Sequence, residues 1–386
     1  MKENLGLYQS DTESKTIFDR ALKYIYNKYD LRFNIISLEY QIKVVNSGEE
    51  WTDLNINSLF IELIQSGIDI SMNKLEILIK SHLIDWYNPI KEYFSFLHPW
   101  DGKDHIADLC SYVKTNDDKA FAYHFEKWFT RTVLCALENG YVNKQCMVLA
   151  SSLQNSGKTT FLWGLIPPTL RNYYTENISV DKDGIIAICK NLICNADELA
   201  ILSKTDVNML KAYISKSNVN VRLPYGRRAE FMERICSFVG STNRTDFLTD
   251  ESGSVRWLVF EVQNINFKYS IEINIDKVWA QAYYNAYKRK DFDPELTTDD
   301  IKENEKRNEK FTQISIEQEI LLKHFEKSEH IRDFLTATDI MLSMNEALGL
   351  RLNNIRIGKA LTYLKYQRIK HPRLQIYGYL IKRKVE

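Results

Sequence analysis

The sequence "SSLQNSGKTTF", residues 151–161, contains most of a phosphate-binding loop. The pattern G-x-x-x-x-G-K-(S/T) is complete through Gly157, Lys158 and Thr159, but Ser152 stands where the first glycine is expected. That first position mainly requires a tight turn, which serine can make at a modest conformational cost. The stretch is either a working nucleotide site with one tolerated substitution or a Gly-Lys-Thr sequence at an ordinary helix start.

The flanking segments give the loop the setting that the motif requires. "QCMVLAS", residues 145–151, is typical of a short buried strand, and "GKTTFLWGLI", residues 157–166, is typical of a helix start. In such a loop the backbone N–H groups cradle the phosphates, a lysine contacts the β- and γ-phosphates, and a threonine hydroxyl binds Mg²⁺. The sequence therefore predicts a site for ATP and Mg²⁺ at five consecutive residues, Ser156, Gly157, Lys158, Thr159 and Thr160.

Two carboxylates close a second apolar run. In "NLICNADEL", residues 191–199, the run from Leu192 to Cys194 is followed by Asp197 and Glu198. Beside a phosphate loop, Asp197 can hold Mg²⁺ through water and Glu198 can orient or activate the attacking water. The polar Asn195 makes this strand a weak one, and Asp-Glu pairs are also common on protein surfaces.

A third apolar run ends in an amide side chain. "ICSFVGSTN", residues 235–243, is strand-like up to Gly240 and finishes at Asn243, which could contact the γ-phosphate and the water. Alone, this residue is more simply an asparagine in a turn. The loop, the acidic pair and the amide nevertheless follow three predicted strands at intervals of about 40 residues. That order predicts a nucleotide-hydrolysing site with Lys158, Glu198 and Asn243 as catalytic residues.

The composition is that of an ordinary globular protein. Of 386 residues, 44% are hydrophobic and 26% are charged, with a formal net charge of zero, so the whole chain is not an obvious polyanion binder. The six cysteines form no C-x-x-C pair and no zinc spacing with histidine, which predicts reduced structural thiols in a cytoplasmic protein. No apolar run reaches the roughly 20 residues that span a bilayer, so no membrane partner is expected.

Changes in composition and turn-forming Pro and Gly residues divide the chain into four parts. Residues 1–98 read as a mostly helical domain without a catalytic constellation. Residues 99–290 carry the loop and predict an α/β domain. Residues 291–312 are polar and acidic without apolar periodicity, which indicates a linker or an exposed helix. Residues 313–386 form a basic module.

The basic module reads as a winged helix. "ATDIMLSMNEALGLRLNNIRIGKALTYLKY", residues 337–366, predicts helix, turn and helix, and residues 368–384 predict a hairpin. Between residues 351 and 386 there are ten Lys or Arg and one acidic residue. This charge favours double-stranded DNA as the partner, although many winged helices bind only protein. The candidate contacts are Asn353, Asn354, Arg356, Lys359 and Lys365 on the second helix and Lys370, Arg373 and Lys382 to Lys384 on the hairpin.

Two blocks resemble the virulence-associated protein E family. "NVNVRLPYGRRAEFMERICSFVGSTNRTDFLTDESGSVRWLVFEV", residues 218–262, looks like its signature, and "YNPIKEYFSFLHPWDGKDHI", residues 87–106, looks like its opening segment. Those proteins belong with the replication ATPases of phages and mobile elements, which are related to superfamily 3 helicases. The resemblance implies a P-loop AAA+ core over residues 99–290 and an ATP-hydrolysing, DNA-binding ring, with a hexamer as the expected assembly.

The resemblance also implies individual roles. Lys158 and Thr159 would be the phosphate and Mg²⁺ residues, Asp197 and Glu198 the acidic pair, and Asn243 the sensor. Arg256, in "SVRW", falls where these ATPases often carry an arginine finger. The chain departs from the pattern at Ser152 and at Val255, where the family more often has a second arginine. This leaves three candidate fingers, Arg256 with Arg234 and Arg244 as rivals.

A basic hairpin is expected before the sensor strand. Superfamily 3 motors thread single-stranded DNA through the ring with such a hairpin, and "SKSNVNVRLPYGRRAEF", residues 215–231, fits one physically. Arginines there can meet phosphates and the tyrosine can stack on a base, although a solvated basic loop has the same composition. The candidate contacts are Arg222, Tyr225, Arg227 and Arg228.

Two functions remain open at this point. One is a ring helicase or replication initiator, and the other is a nucleotide-switched DNA-binding protein that loads a partner or regulates without translocating. A small-molecule kinase is disfavoured, because the sequence offers no obvious lid and carries a basic tail.

Overall fold

The computed structural model describes residues 16–176, 178–179, 181–199, 204–223, 228–244, 246–248, 255–349 and 351–384. Within these ranges the chain is a mixed α/β protein with four sheets and many helices. None of the helices there combines the length and the apolar character that crossing a bilayer demands.

The N-terminal part combines helices with a sheet. Its elements are α1 (Ile17–Lys28), β1 (Tyr29–Asn34), β2 (Glu39–Val44), β3 (Thr52–Asp53), α2 (Ile56–Gln65), α3 (Met72–Ile79), β4 (Asp85–Tyr87) and α4 (Pro89–Phe96). The strands form one sheet in the order β3-β2-β1-β4, an element that the description of residues 1–98 as mostly helical leaves out. α4 belongs elsewhere, because Ile90 and Phe94 are buried in the core of the next part. The change of core therefore lies near residue 88 instead of residue 98.

The central part is built around a six-stranded sheet. Its elements are α5 (His105–Ser111), β5 (Val113–Thr115), α6 (Asp118–Leu137), β6 (Cys146–Ala150), α7 (Lys158–Trp163), β7 (Tyr174–Glu176), α8 (Lys182–Lys190), β8 (Ile193–Ala196), α9 (Lys204–Ser215), β9 (Asn218–Val221), β10 (Glu230–Glu233), β11 (Ser237–Thr242), β12 (Trp257–Ile265), α10 (Tyr269–Glu272), α11 (Ile275–Tyr287) and α12 (Thr298–Asn308). The strand order is β5-β12-β6-β11-β8-β7, with β9 and β10 as a separate hairpin.

Five strands of the central sheet are parallel, and only β5 runs against its neighbour β12. β6 lies in the middle, since Val148 pairs with Gly240 of β11 on one side and Val259 of β12 on the other. Helices cover both faces, so the strands are continuous apolar runs instead of alternating ones. The segment with Asn195 forms β8 despite that residue, whose side chain is fully buried.

Residues 298–308 form a docked helix instead of part of a linker. Asn304 and Asn308 both donate from Nδ2 to the backbone oxygen of Trp257, at 2.9 and 2.8 Å. Asp300 pairs with the buried Lys127 of α6 at 3.1 Å. These side chains lie on one face because they are four residues apart. The sequence left a linker and an exposed helix open; the structure has a helix, and polar contacts instead of an apolar stripe hold it against the central part.

The C-terminal part has its own core. Its elements are α13 (Ile316–His324), β13 (Phe325–Lys327), β14 (Phe334–Leu335), α14 (Ala337–Leu348), α15 (Asn354–Tyr363), β15 (Arg368–Lys370) and β16 (Tyr377–Arg383). Ile340, Leu361 and Ile381 are buried between the helices and the sheet. Gly349 ends α14 in the left-handed region, with φ +64°, as a helix-terminating glycine does. Helix, turn, helix and hairpin follow one another in the predicted order.

Candidate nucleotide-binding site

The loop joins the carboxyl end of β6 to α7. Two of its residues are in the left-handed region, Asn155 with φ +55° and Gly157 with φ +81°. Asparagine and glycine tolerate this conformation better than other residues. Ser152 is exposed and is not among the residues with positive φ, so its position makes no demand that only glycine can meet. The missing first glycine is therefore compatible with the observed loop.

Lys158 is directed into the loop and across to the next strand. Its side chain is buried, and Nζ donates to Asn243 Oδ1 at 2.9 Å, to Ser156 Oγ at 2.8 Å and to the Leu153 carbonyl at 3.3 Å. Burial lowers the pKa of the Lys158 ammonium, an effect that the Asp197 carboxylate opposes. The contact with Asn243 joins two residues that are 85 positions apart in the chain. The predicted phosphate lysine and sensor amide are therefore neighbours.

Three oxygen atoms meet beside the lysine. Thr159 Oγ1 donates to Asp197 Oδ1 at 3.2 Å, Ser241 Oγ donates to the same carboxylate oxygen, and the two hydroxyls lie 3.4 Å apart. Carboxylate and hydroxyl oxygens are the ligands that Mg²⁺ accepts. No group of three His, Cys, Asp or Glu suited to a metal occurs among the described residues, so a Mg²⁺ site here depends on the hydroxyls. Ser241 was not a predicted site residue; its only sequence signal is its place two positions before Asn243.

Glu198 lies next to this cluster in a strained conformation. Its φ is +50°, its side chain is exposed, and its backbone N–H donates to Asp197 Oδ1 at 3.0 Å. A left-handed glutamate costs roughly 1–3 kcal/mol and such residues concentrate at functional sites. The turn leaves the carboxylate at the carboxyl edge of the sheet. Thr160, the last predicted loop residue, is exposed on the first turn of α7.

Arg256 is placed far from the loop of its own chain. Its carbonyl accepts from the N–H of Cys146 at 2.7 Å, at the start of β6, whereas the loop follows Ala150 at the other end. The length of β6 separates the two, about 16 Å at about 3.3 Å per residue. The guanidinium donates from Nε to Ser215 Oγ at 3.0 Å, at the end of α9.

The two rival arginines differ in what they contact. Arg234 is buried and donates to backbone carbonyls, including those of Cys236 at 3.0 Å and Asn143 at 2.8 Å. Its guanidinium holds the backbone, so Arg234 is not available as an arginine finger. Arg244 is exposed and pairs with Asp246 at 3.3 Å, directly after Asn243.

The structure describes only part of the hairpin predicted to contact DNA. Arg222 and Arg228 are exposed at the same end of the hairpin, because Arg222 directly follows β9, Arg228 precedes β10 by two residues, and Val221 pairs with Glu230. Tyr225 and Arg227 lie outside the described residues.

In the C-terminal part, seven of the eight basic residues predicted to contact DNA are exposed on α15 or on the hairpin: Arg356, Lys359, Lys370, Arg373, Lys382, Arg383 and Lys384. Two other residues differ from the prediction. Asn353 caps α15, since its Oδ1 accepts from the N–H of Ile355 at 2.8 Å, and Lys365 lies beyond the end of α15 with φ +56°.

Solved structures of similar fold cover nearly the whole of this chain. Solved structures that match include the apo structure of the NrS-1 C-terminal region (305–718), with a TM-score of 0.52, 13% identity, and coverage of 96% of this chain and 100% of that one. The A form of the same region has a TM-score of 0.51 and 13% identity over 95% of this chain and 100% of that one. At such identities the likeness concerns the fold alone. No curated protein matches.

A family model described as the virulence-associated protein E-like domain matches residues 95–313. That range holds more than half of the 386 residues, and it includes the loop, Asp197, Glu198, Asn243, Arg256 and α12. The chain therefore belongs to the virulence-associated protein E-like domain family.

Proposed function

We propose that the chain is an ATP-hydrolysing, DNA-binding ring ATPase of the P-loop AAA+ class, acting as a replicative helicase or initiator of a phage or mobile genetic element. The observation that carries the proposal is the meeting of Lys158, Thr159, Asp197 and Asn243 at the carboxyl ends of three adjacent parallel strands. Ligands of open α/β sheets bind at that edge. Family membership supports the same class.

Each residue at this edge has a task in ATP hydrolysis. The loop N–H groups and Lys158 would hold the phosphates, and Thr159 and Asp197, with Ser241 beside them, would hold Mg²⁺. The bound ion would neutralise charge on the phosphate oxygens. Glu198 would accept the proton of the attacking water, and Asn243 would position that water and the terminal phosphate.

The DNA contacts of the proposal come from two surfaces. Single-stranded DNA would pass the hairpin of β9 and β10 in the pore of a hexamer, and double-stranded DNA would bind the C-terminal part as a winged helix. The exposed arginines and lysines on both surfaces supply charge for phosphate contacts.

ATP turnover measured with and without single-stranded DNA tests the proposal. We expect Mg²⁺-dependent hydrolysis that single-stranded DNA increases, together with a ring-sized species in chromatography with an ATP analogue. The second candidate, a nucleotide-switched DNA-binding protein, is favoured by the exposed basic C-terminal surface, which needs no translocation. A monomer or dimer that binds both ligands, with turnover indifferent to DNA, would support the switch.

Glu198→Gln should keep ATP binding and lose turnover. Glutamine preserves the size of the side chain and removes the base, and a positioned base is worth about 10²–10⁴ in rate. Nucleotide affinity and steady-state hydrolysis measure the two effects separately. Asp197→Asn is the comparison: if it stops turnover while Glu198→Gln does not, Glu198 is not the water-activating residue.

Removing residues 315–386 should weaken double-stranded DNA binding and flatten its salt dependence, while basal ATPase is kept. The cut follows Ile314, so it keeps Phe311, which is buried in the central core, and Gln313, whose N–H donates to the Leu248 carbonyl at 2.8 Å. Each lost phosphate contact lowers the log-log salt slope by about one. Titrations at several salt concentrations measure it, and an unchanged slope would indicate a protein-binding module.

A further inference from the structure

An exposed aromatic ring lies against the phosphate loop. Phe267 follows β12 by two residues, and its ring fills the space that a Cβ atom on Gly157 would need. About half of this side chain, 52%, remains open to solvent. One part of the ring therefore covers the loop and the rest faces outward beside it.

The ring is held in place by its neighbours. Tyr269, two residues on, is buried and packs edge-to-face on Phe161 of α7, with the ring centroids 5.2 Å apart. The backbone N–H of Ser270 donates to the Phe267 carbonyl at 3.2 Å. Since the segment is anchored on the same helix that carries the loop, Phe267 keeps its position relative to Gly157.

The direction of the loop side chains shows which end of a nucleotide would reach this ring. Lys158 is directed to Asn243 after β11, and Thr159 to Asp197 after β8. The terminal phosphate therefore belongs on the β11 and β8 side of β6. β12 lies on the other side of β6, and it is three strand spacings from β8, about 14 Å at about 4.8 Å each. The nucleoside end of an extended triphosphate would leave the loop on the β12 side.

We propose that Phe267 is the platform on which the base of the bound nucleotide stacks, an inference that rests on the proposed function. The ring would contribute to the binding of the nucleoside and would not contribute to the binding of the phosphates. Every base has a π-face, so a platform of this kind accepts nucleobases in general and selects against phosphate compounds without a base.

Calorimetric titration of ADP and of inorganic tripolyphosphate tests the platform. Phe267→Ala should weaken ADP binding by about 5- to 100-fold, the effect of losing one stacked base, and leave tripolyphosphate binding unchanged. Phe267→Trp should retain ADP affinity and Phe267→Leu should not, because leucine keeps apolar contact with Gly157 but has no π-face. Ile271→Ala is the matched control, an exposed apolar residue on the same segment.

Each alternative result is decisive. Unchanged ADP affinity in Phe267→Ala, or full affinity in Phe267→Leu, overturns the stacking role. Equal losses for ADP and tripolyphosphate mean that Phe267 only supports the loop, which also overturns it. A wild-type protein that binds neither probe overturns the proposed function itself, and the platform with it.

Discussion

Lys158→Ala is expected to reduce ATP hydrolysis to background and to weaken nucleotide binding. The ammonium is buried and contacts Ser156, Leu153 and Asn243, so it is the cation at the point where loop and sensor strand meet. Alanine removes this charge from the proposed phosphate site and leaves Asn243 Oδ1 without the Lys158 donor. Steady-state turnover and equilibrium binding of ADP measure the two losses.

Two further variants separate charge from folding. Lys158→Met keeps the length of the side chain and removes only the charge, so it should be as inactive as Lys158→Ala while unfolding at a temperature close to that of the wild type. Lys144→Ala replaces an exposed lysine near the opposite end of β6 and should behave as wild type. Normal turnover in both Lys158 variants would remove the basis of the whole proposal.

Arg256→Ala should bind ATP normally and lose about 10³–10⁵ in turnover, the range for an arginine supplied to a phosphoryl-transfer site. The residue stands at the amino end of β12, one strand length from the loop of its own chain. A role in hydrolysis therefore requires the loop of a neighbouring subunit. Hydrolysis would then depend on assembly of the ring.

Mixing Arg256→Ala with Lys158→Ala tests this directly. Each variant lacks a different half of the shared site, so mixed interfaces contain some complete sites and part of the activity should return. Co-assembly is checked by chromatography of the mixture. If the subunits co-assemble and no activity returns, Arg256 does not act in trans, and Arg244 becomes the better candidate because Arg234 is buried.

The centre of the site could be predicted because it obeys local rules. Parallel strands that are buried on both faces appear in the sequence as apolar runs. The polar residues directly after such strands lie at one edge of the sheet, so the order of Lys158, Asp197 and Asn243 in the sequence predicts that they are neighbours. Phe267 was not, since its contact with Gly157 exists only because β12 pairs beside β6. The location of Arg256 depends on that same pairing.

The docking of helix α12 could not be predicted, for a different reason. Its docked face consists of Asp300, Asn304 and Asn308, and amides that bond to a buried carbonyl resemble solvent-exposed amides in the sequence. Hydrophobic periodicity has no means of separating the two cases. The boundary at residue 98 failed similarly, because the apolar face of α4 does not reveal which core it joins.

The two amides of α12 also define a mechanical connection. Both hold the carbonyl of Trp257, the residue that directly follows Arg256, and α12 leads through the buried Phe311 into the C-terminal part. The chain that leads into the C-terminal part is therefore tied by two hydrogen bonds to the backbone beside Arg256. In the proposed ring, a displacement of α12 would move the backbone of the arginine that is expected to face the neighbouring subunit.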